Sequence, residues 1–585
     1  MEVKDMRELL IAFMLTVAFM AGGAQAIAEE AKKAGEHPVA EEAKKAGEHP
    51  VAKGEHPVAK EGAKSEAADP ASYALTPEQF ENCRHIYFDR CAGCHGVLRK
   101  GATGKALTPD KTIAKGPKKL RDFIWFGTGG GMPGWGKMGV ITAEETDLLV
   151  KYIQNEPPIP PQWDMKDVRA SWKLLIPPDK RPTKPEHNRD VDNMFAVVLR
   201  DAGQVAIIDG DTYEIVNTVN TGYAVHIVRM SMSGRYVYSI GRDGRATMID
   251  LWMEKPDTVA EVRCSLDARS IEVSKFKGFE DKYAVVGGYW PPQFVILDGA
   301  TLEPIKIVST LSYTYDTGEF HPEPRVASIV ASHFAPEWVL NIKETGQVWL
   351  VDYSDVNNPS IKMIEAERFL HDGGWDSTKR YFLVAANARN KIVVIDAKEK
   401  KLVAIIETGG IKPHPGRGAN WIDPEFGPVW ATGHIADSMV SVIGTDPVNH
   451  PEHAWKVVRK IKSLSSGNLF IKTHPNSKWV WLDTPLSKKE EYRTTIAIYD
   501  KANMEAGVFK TLKVADYGKA VHMEYNKAGD EVWVSIWGNL GDADKGKAGE
   551  IVIYDDKTLK VKHRIKNLIT PTGKFNVYNT VRDIY

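Results

Sequence analysis

The sequence predicts a small all-α domain followed by an all-β eight-bladed propeller. Three observations lead there: Cys91-Ala-Gly-Cys94-His95 within a helical stretch, a proline-rich break at 157–161, and an apolar pair plus aspartate that recurs eight times downstream. A chain of 585 residues exceeds what one hydrophobic core holds, so at least two domains are expected. A formal net charge of -1 leaves no electrostatic footprint for a nucleic-acid partner.

Residues 1–26 read as a secretory signal peptide. Lys4 and Arg7 precede an apolar run from Leu9 to Met20, and Ala24-Gln-Ala26 supplies a small-residue cleavage site. The run is too short for a membrane span, and no later stretch is long and apolar enough to be one. Residues 27–74 form a low-complexity arm. Glu-Glu-Ala-Lys-Lys-Ala-Gly-Glu-His-Pro-Val-Ala occurs at 29–40 and again at 41–52, charged and Ala-rich and unable to bury a core. His37, His49 and His56 in it read as solvated repeat residues.

Residues 75–160 read as the helical domain. Thr76-Pro-Glu-Gln79 has an N-cap, a proline at the first helical position and a capping-box glutamine. A later helix starts near Thr142-Ala-Glu-Glu145 and carries Leu148, Leu149, Val150 and Ile153. Pro157-Pro-Ile-Pro-Pro161 stops it and opens a stiff linker over 161–192.

Inside this domain, C-x-x-C-H is the attachment pattern of a c-type haem. Cys91 and Cys94 bond the haem edge, and His95 is placed to reach the iron. A zinc site would need a second C-x-x-C, which the sequence lacks. The other axial ligand is expected from Met132, in a Gly129-Gly-Gly-Met-Pro-Gly-Trp135 loop stiffened by Pro133, with Met138 as the competitor; a thioether raises the potential. A c-type haem behind a signal peptide points to a bacterial periplasm. The remaining cysteines, Cys83 and Cys264, read as two separate buried thiols rather than a pair.

Residues 193–585 carry the recurring strand pattern. Its marker aspartates are Asp209, Asp250, Asp298, Asp352, Asp396, Asp446, Asp500 and Asp555, spaced about 40 to 55 residues apart, the length of a four-stranded blade. A sandwich also repeats short strands, but eight such units fit a closed ring better.

Aligning the repeats locates a site. Tyr223-Ala-Val-His226 … Tyr236 superposes on Arg368-Phe-Leu-His371 … Tyr381, each histidine ten residues ahead of its tyrosine. Equivalent places in a ring face the axial channel at one end. His414 precedes the next marker strand similarly, after a longer loop. His522 is out of step by one residue, and strand alternation would turn it away. Arg200, Arg229, Arg242, Arg269 and Arg417, clustered where inner strands begin, read as a carboxylate-binding ring. One histidine can bind a metal centre; the other two can supply protons or, as imidazolium, hold a small anion.

The strings Cys91-Ala-Gly-Cys-His-Gly-Val-Leu-Arg-Lys-Gly-Ala-Thr-Gly104, Leu199-Arg-Asp-Ala-Gly203, His371-Asp-Gly-Gly-Trp-Asp376, His414-Pro-Gly-Arg-Gly-Ala-Asn420 and Thr570-Pro-Thr-Gly-Lys-Phe-Asn-Val-Tyr578 closely resemble the cytochrome cd1 nitrite reductases, from about residue 75 to the end. The resemblance implies a covalent haem c, a non-covalent haem d1 in the propeller, a homodimer, and reduction of nitrite to nitric oxide. It implies His95 and Met132 as haem c iron ligands and His226 as the d1 iron ligand. His371 and His414 would be the distal catalytic pair. Arg200, Arg229, Arg242, Arg269, Tyr289, Ala327, Arg417, Thr572 and Gly573 would contact the d1 ring. The implied electron donor is a small periplasmic c-type cytochrome or a cupredoxin. Some members place an arm tyrosine over the d1 iron; here the arm holds Tyr73, in surroundings that match poorly. Two alternatives share the plan: a haem d1-precursor dehydrogenase, and an electron-carrier cytochrome fused to a propeller serving as a binding scaffold. The distal pair and the long matches favour the reductase.

Overall fold

The computed structural model describes residues 73–584, other than 102–103, 129–131 and 138. The signal peptide, nearly all of the repeated arm with its histidines, Gly129 to Gly131 and Met138 lie outside the described residues.

The helical domain begins with α1 (Pro77–Arg90). Thr76 caps it: Gln79 N donates to Thr76 Oγ1 at 3.2 Å and Thr76 N to Gln79 Oε1 at 3.0 Å. Cys91 ends α1 and caps the one-turn α2 (Ala92–His95), which places the haem motif on a tight corner. Thr142 and Glu145 form the same reciprocal cap on α3 (Ala143–Gln154). Leu149, Val150 and Ile153 of α3 pack with Cys83 and Tyr87 of α1 in one apolar core. Tyr73 is tied to the end of α3, where Asn155 Nδ2 donates to its carbonyl at 3.0 Å.

Eight antiparallel sheets of four or five strands follow, besides a two-stranded hairpin of Ser312–Tyr313 with Phe320–His321. The innermost strands of successive blades are β1 (Ile227–Met230), β2 (Asp267–Val273), β3 (Val326–Ala331), β4 (Leu370–Trp375), β5 (Pro413–Asp423), β6 (Ile471–Lys472), β7 (Lys519–Tyr525) and β8 (Pro571–Asn576). The C-terminal β8 pairs with Phe195–Leu199 near the start of the propeller, so the last strand closes the first blade and the ring has no open edge there. Each marker aspartate lies at the end of a blade's third strand or within two residues past it. There its carboxylate accepts backbone amides of the following turn, as Asp298 does from Ala300 and Thr301. That local chemistry is why the motif repeats.

Between blades, apolar faces interlock. Trp338, Trp430, Trp481 and Trp533 are fully buried, all on second strands. Truncating one to alanine costs about 3–5 kcal/mol. The segment 161–192, expected as a linker, is built into the propeller: a helix (Met165–Ser171) is followed by a short strand (Lys173–Leu174) that pairs with Glu261 and Ala260. Cys83 and Cys264 are separate buried free thiols, one in the helical core and one in a propeller core.

The inner strands are not regular. β3 shifts register between Val326 and Ile329, β4 between Leu370 and Gly373, β5 between His414 and Ala419, β7 between Val521 and Met523, and β8 between Pro571 and Lys574. Bulges re-aim side chains, and here they hold Ala327, His371, Arg417, His522, Thr572 and Gly573.

Candidate active site

The helical domain sits on the rim of the ring through its Cys-x-x-Cys-His turn. Glu323 Oε1 accepts Val97 N at 2.6 Å and Leu98 N at 3.1 Å. Arg325 Nη1 donates to Gly93 O at 3.0 Å while its Nε and Nη2 hold Glu344 Oε1 at 2.9 and 2.6 Å. Arg242 makes two 2.6 Å bonds to Asp267 and packs so closely on Gly93 that a Cβ there would stand 2.7 Å from Nη1.

In that turn Cys91 and Cys94 are free thiols. His95 Nδ1 donates to Lys105 O at 2.6 Å, which leaves Nε2 as its only free nitrogen. A Cβ at Gly104 would lie 2.8 Å from the His95 ring. Met132 is partly buried against the helical core, and its carbonyl accepts Thr128 N at 3.0 Å.

At the hub, His226 precedes β1 and its Nε2 accepts a 2.7 Å bond from Arg269 Nε. Burial, and then the neighbouring Arg269, Arg242 and Arg200, hold His226 well below the ordinary histidine range. It is a neutral imidazole with an Nε2 lone pair. His371 and His414 lie side by side, ring centroids 5.1 Å apart. His371 Nδ1 donates to Asp372 Oδ1 at 2.6 Å; His414 Nδ1 donates to Leu469 O at 2.8 Å and stands 3.7 Å from Asp372 Oδ2. Both imidazoles therefore have Nε2 free. Burial and the nearby Lys343 push His371 down to about 3. Burial alone would raise Asp372, but His414 and the bond from His371 hold it below its ordinary value. His371 is thus neutral at rest; the standing positive charge beside it belongs to Arg269, with Lys343 lowered by burial to about 7.

The arginines divide into two levels. Arg200, Arg242 and Arg269 bear on His226. Arg229 pairs with Glu272 at 3.0 Å and Arg417 with Asp583 at 3.2 Å, and the two bear on one another. Arg229 lies three residues along β1 from His226, about 10 Å deeper in an extended strand. Tyr289 is fully buried with Arg325 5.0 Å and Arg242 5.7 Å from its ring centre. Ala327 O accepts Ser270 Oγ at 3.0 Å. His522 is not turned away: the β7 bulge absorbs the extra residue, and its buried ring meets Phe470 and Phe575, both at inner strands. Asp372, Lys343 and Arg325 join the site beyond the residues that the sequence pattern marks. Asp372 was legible beside His371; Lys343 and Arg325 lie at no repeated position.

A family model described as Cytochrome D1 heme domain matches residues 189–580, and one described as Cytochrome C oxidase, cbb3-type, subunit III matches residues 78–153. This chain belongs to the cytochrome cd1 family. A relative named Nitrite reductase from Stutzerimonas stutzeri is 52% identical over 88% of this chain and 96% of its own length. A Pseudomonas aeruginosa relative named Dihydro-heme d1 dehydrogenase is 29% identical over 85% of this chain and 93% of its own. A solved structure of such a dehydrogenase, NirN in complex with DHE, superposes with TM-score 0.64 at 28% identity, covering 85% of this chain and 99% of that one.

Haem c and haem d1 are the cofactors of this cytochrome cd1 chain. Its residues fit both. Two free thiols beside a histidine with one free nitrogen suit haem c. In the hub, Tyr289 Oη, Lys343 Nζ and Asp372 Oδ2 are buried without hydrogen-bond partners, an arrangement that costs about 1–3 kcal/mol for each neutral group and more for a charged one. Those orphans, the neutral His226 and the Arg200, Arg242 and Arg269 guanidiniums suit an anionic macrocycle with a metal at its centre.

Proposed function

We propose that this chain is a periplasmic nitrite reductase that converts nitrite, one electron and two protons to nitric oxide and water. The observation that carries the reading is the partly buried His371–Asp372–His414 cluster, two imidazoles with free Nε2 atoms at the same hub rim as His226. The 52% identical relative named Nitrite reductase supports it over the 29% identical dehydrogenase.

When bound, haem d1 supplies the redox-active iron for the substrate and haem c the means of delivering an electron to it. Cys91 and Cys94 would hold haem c, with His95 and Met132 on its iron. His226 Nε2 would hold the d1 iron, released from Arg269. Arg200, Arg242, Arg269 and Lys343 would face the carboxylates of the ring, and Tyr289, Ala327, Thr572 and Gly573 would line it. Arg229 and Arg417, paired with Glu272 and Asp583, would complete that set of guanidiniums further along the channel.

The chain's own part in the chemistry is proton placement. His371 and His414 each commit Nδ1–H to an oxygen, so each Nε2 is the atom that takes up an incoming proton and, once protonated, donates it to a nitrite oxygen. Asp372 orients His371 and stabilises the imidazolium that forms as a proton arrives. Lys343 and Arg269 supply the field that draws the anion in.

Among the described residues, no helix is long and apolar enough to cross a membrane. The protein acts as a homodimer fed by a small c-type cytochrome or a cupredoxin. Steady nitrite-dependent nitric oxide release by the purified holoprotein with a reduced donor tests the reading. Release over many turnovers is expected; a protein that binds d1 but releases none supports the dehydrogenase instead.

A further inference from the structure

Beneath the histidine cluster, the axial channel is filled with ionisable side chains where apolar packing would serve stability better. Leu469 links the first two: its carbonyl accepts from His414 Nδ1 at 2.8 Å and its amide donates to Asp483 Oδ1 at 2.9 Å. Asp483 Oδ2 accepts His522 N at 2.9 Å, and Lys574 Nζ donates to His522 O at 2.9 Å. Two residues further along β7 is Glu524, with Lys472 Nζ 4.0 Å away. At the floor, Arg417 holds Asp583 at 3.2 Å, and Asp583 Oδ2 lies 3.1 Å from His333 Nε2. A cavity of about 10 Å³ lies there among Gly374, Trp375, Arg417 and Asp583, room for one water; Trp375 Nε1 is buried without a partner. The His333 side chain is 24% exposed, so the column reaches solvent.

We propose that this column is the proton conduit of the hub, carrying protons from solvent at His333 through Glu524, Lys574 and Asp483 to His414 and His371, with Asp583 held ionised as the counter-charge at its mouth. The inference rests on the nitrite-reducing reading of the same site. Per turnover two protons enter at the floor and two leave on the oxygen that departs from nitrite as water. For each of the two protons, every relay group gives up one proton and regains one from below, so the column ends unchanged; the single electron arrives separately.

The charge states support it. Asp483 is faced by His414 and by the amides of Leu469, Phe470 and His522, and burial raises it to about 6. Glu524 is faced by Lys472, Lys574, Arg417 and Asn579, and burial raises it to about 7. Burial lowers Lys574 to about 7 and Lys472 to about 8. All four exchange protons near neutrality. Arg417 stays charged; it holds Asp583 ionised.

The test uses the holoenzyme with Glu524→Gln and Asp483→Asn, each near in size but without the carboxylate, and Glu524→Asp as the conservative control. Both neutral variants should slow nitric oxide formation about tenfold or more, enlarge the solvent deuterium isotope effect, and leave nitrite affinity and both haem spectra unchanged. Glu524→Asp should recover most of the rate. Infrared titration of the resting protein should show a carboxyl band lost on raising the pH through about 7, absent in Glu524→Gln. Wild-type turnover and isotope effect in either fully loaded variant would overturn the conduit. If the wild type makes no nitric oxide, the reductase reading fails by itself and the infrared band decides: a Glu524 ionised throughout leaves no conduit.

Discussion

Asp372 Oδ1 lies 2.6 Å from His371 Nδ1. One carboxylate thereby fixes the tautomer of the imidazole that presents Nε2 to the hub, and its second oxygen stands 3.7 Å from His414. Asp372→Asn keeps the shape and removes the charge that stabilises a protonated His371. The expected result is a turnover number lowered about 10²-fold with a smaller change in KM, measured as nitric oxide formation against nitrite concentration.

His371→Ala and His414→Ala should each retain both haems and slow turnover about 10²- to 10⁴-fold. The double variant should lose less than the product of the two, because the rings act as one unit 5.1 Å apart. Wild-type rates in both single variants would remove the pair from the chemistry.

His226→Ala should strip or mis-ligate haem d1 and leave the haem c spectrum intact. His226 stands in the propeller before β1, whereas haem c depends on Cys91, Cys94 and His95 in the helical domain. Visible spectra of the oxidised and reduced variant check this.

Arg325→Met leaves Glu344 buried at 1% exposure without its guanidinium partner and frees Gly93 O. Removing one member of a buried ion pair costs about 3–5 kcal/mol. Calorimetry should show the loss, and limited proteolysis should show the helical domain loosened from the ring.

The d1-free protein should lose stability as pH falls from about 6.5. His371 is lowered to about 3, and His226 and His522 are also held well below the ordinary range, chiefly by burial. Between the unfolded and folded pKa the unfolded chain binds more protons, so stability is full above about 6.5 and drains as pH drops toward 3. Thermal unfolding from pH 7 to 5 should show the fall, and His371→Gln should flatten part of it.

Much of this was legible in the sequence because it is local or periodic. The marker aspartates close turns with their own carboxylates, so each announces a blade. His226 and His371 fall at equal distances from Tyr236 and Tyr381, so their shared rim could be read by alignment. What the sequence hid was depth. Arg229 and Arg417 follow His226 and His414 by three residues, close in sequence yet a level lower beside Glu272 and Asp583. Bulges hid the rest: the one at Val521–Met523 restores His522 to the axis although its spacing is off by one. Lys343 and Asp483 belong to single blades, and only the packing of consecutive blades brings them near the pair.

The most direct test is the visible spectrum of the reduced protein, purified from a host that makes haem d1, followed by addition of nitrite under anaerobic conditions. Bands of haem d1 beside those of haem c are expected, with nitric oxide released at the expense of the reduced bands. A spectrum of haem c alone, unchanged by nitrite, would contradict the reductase reading.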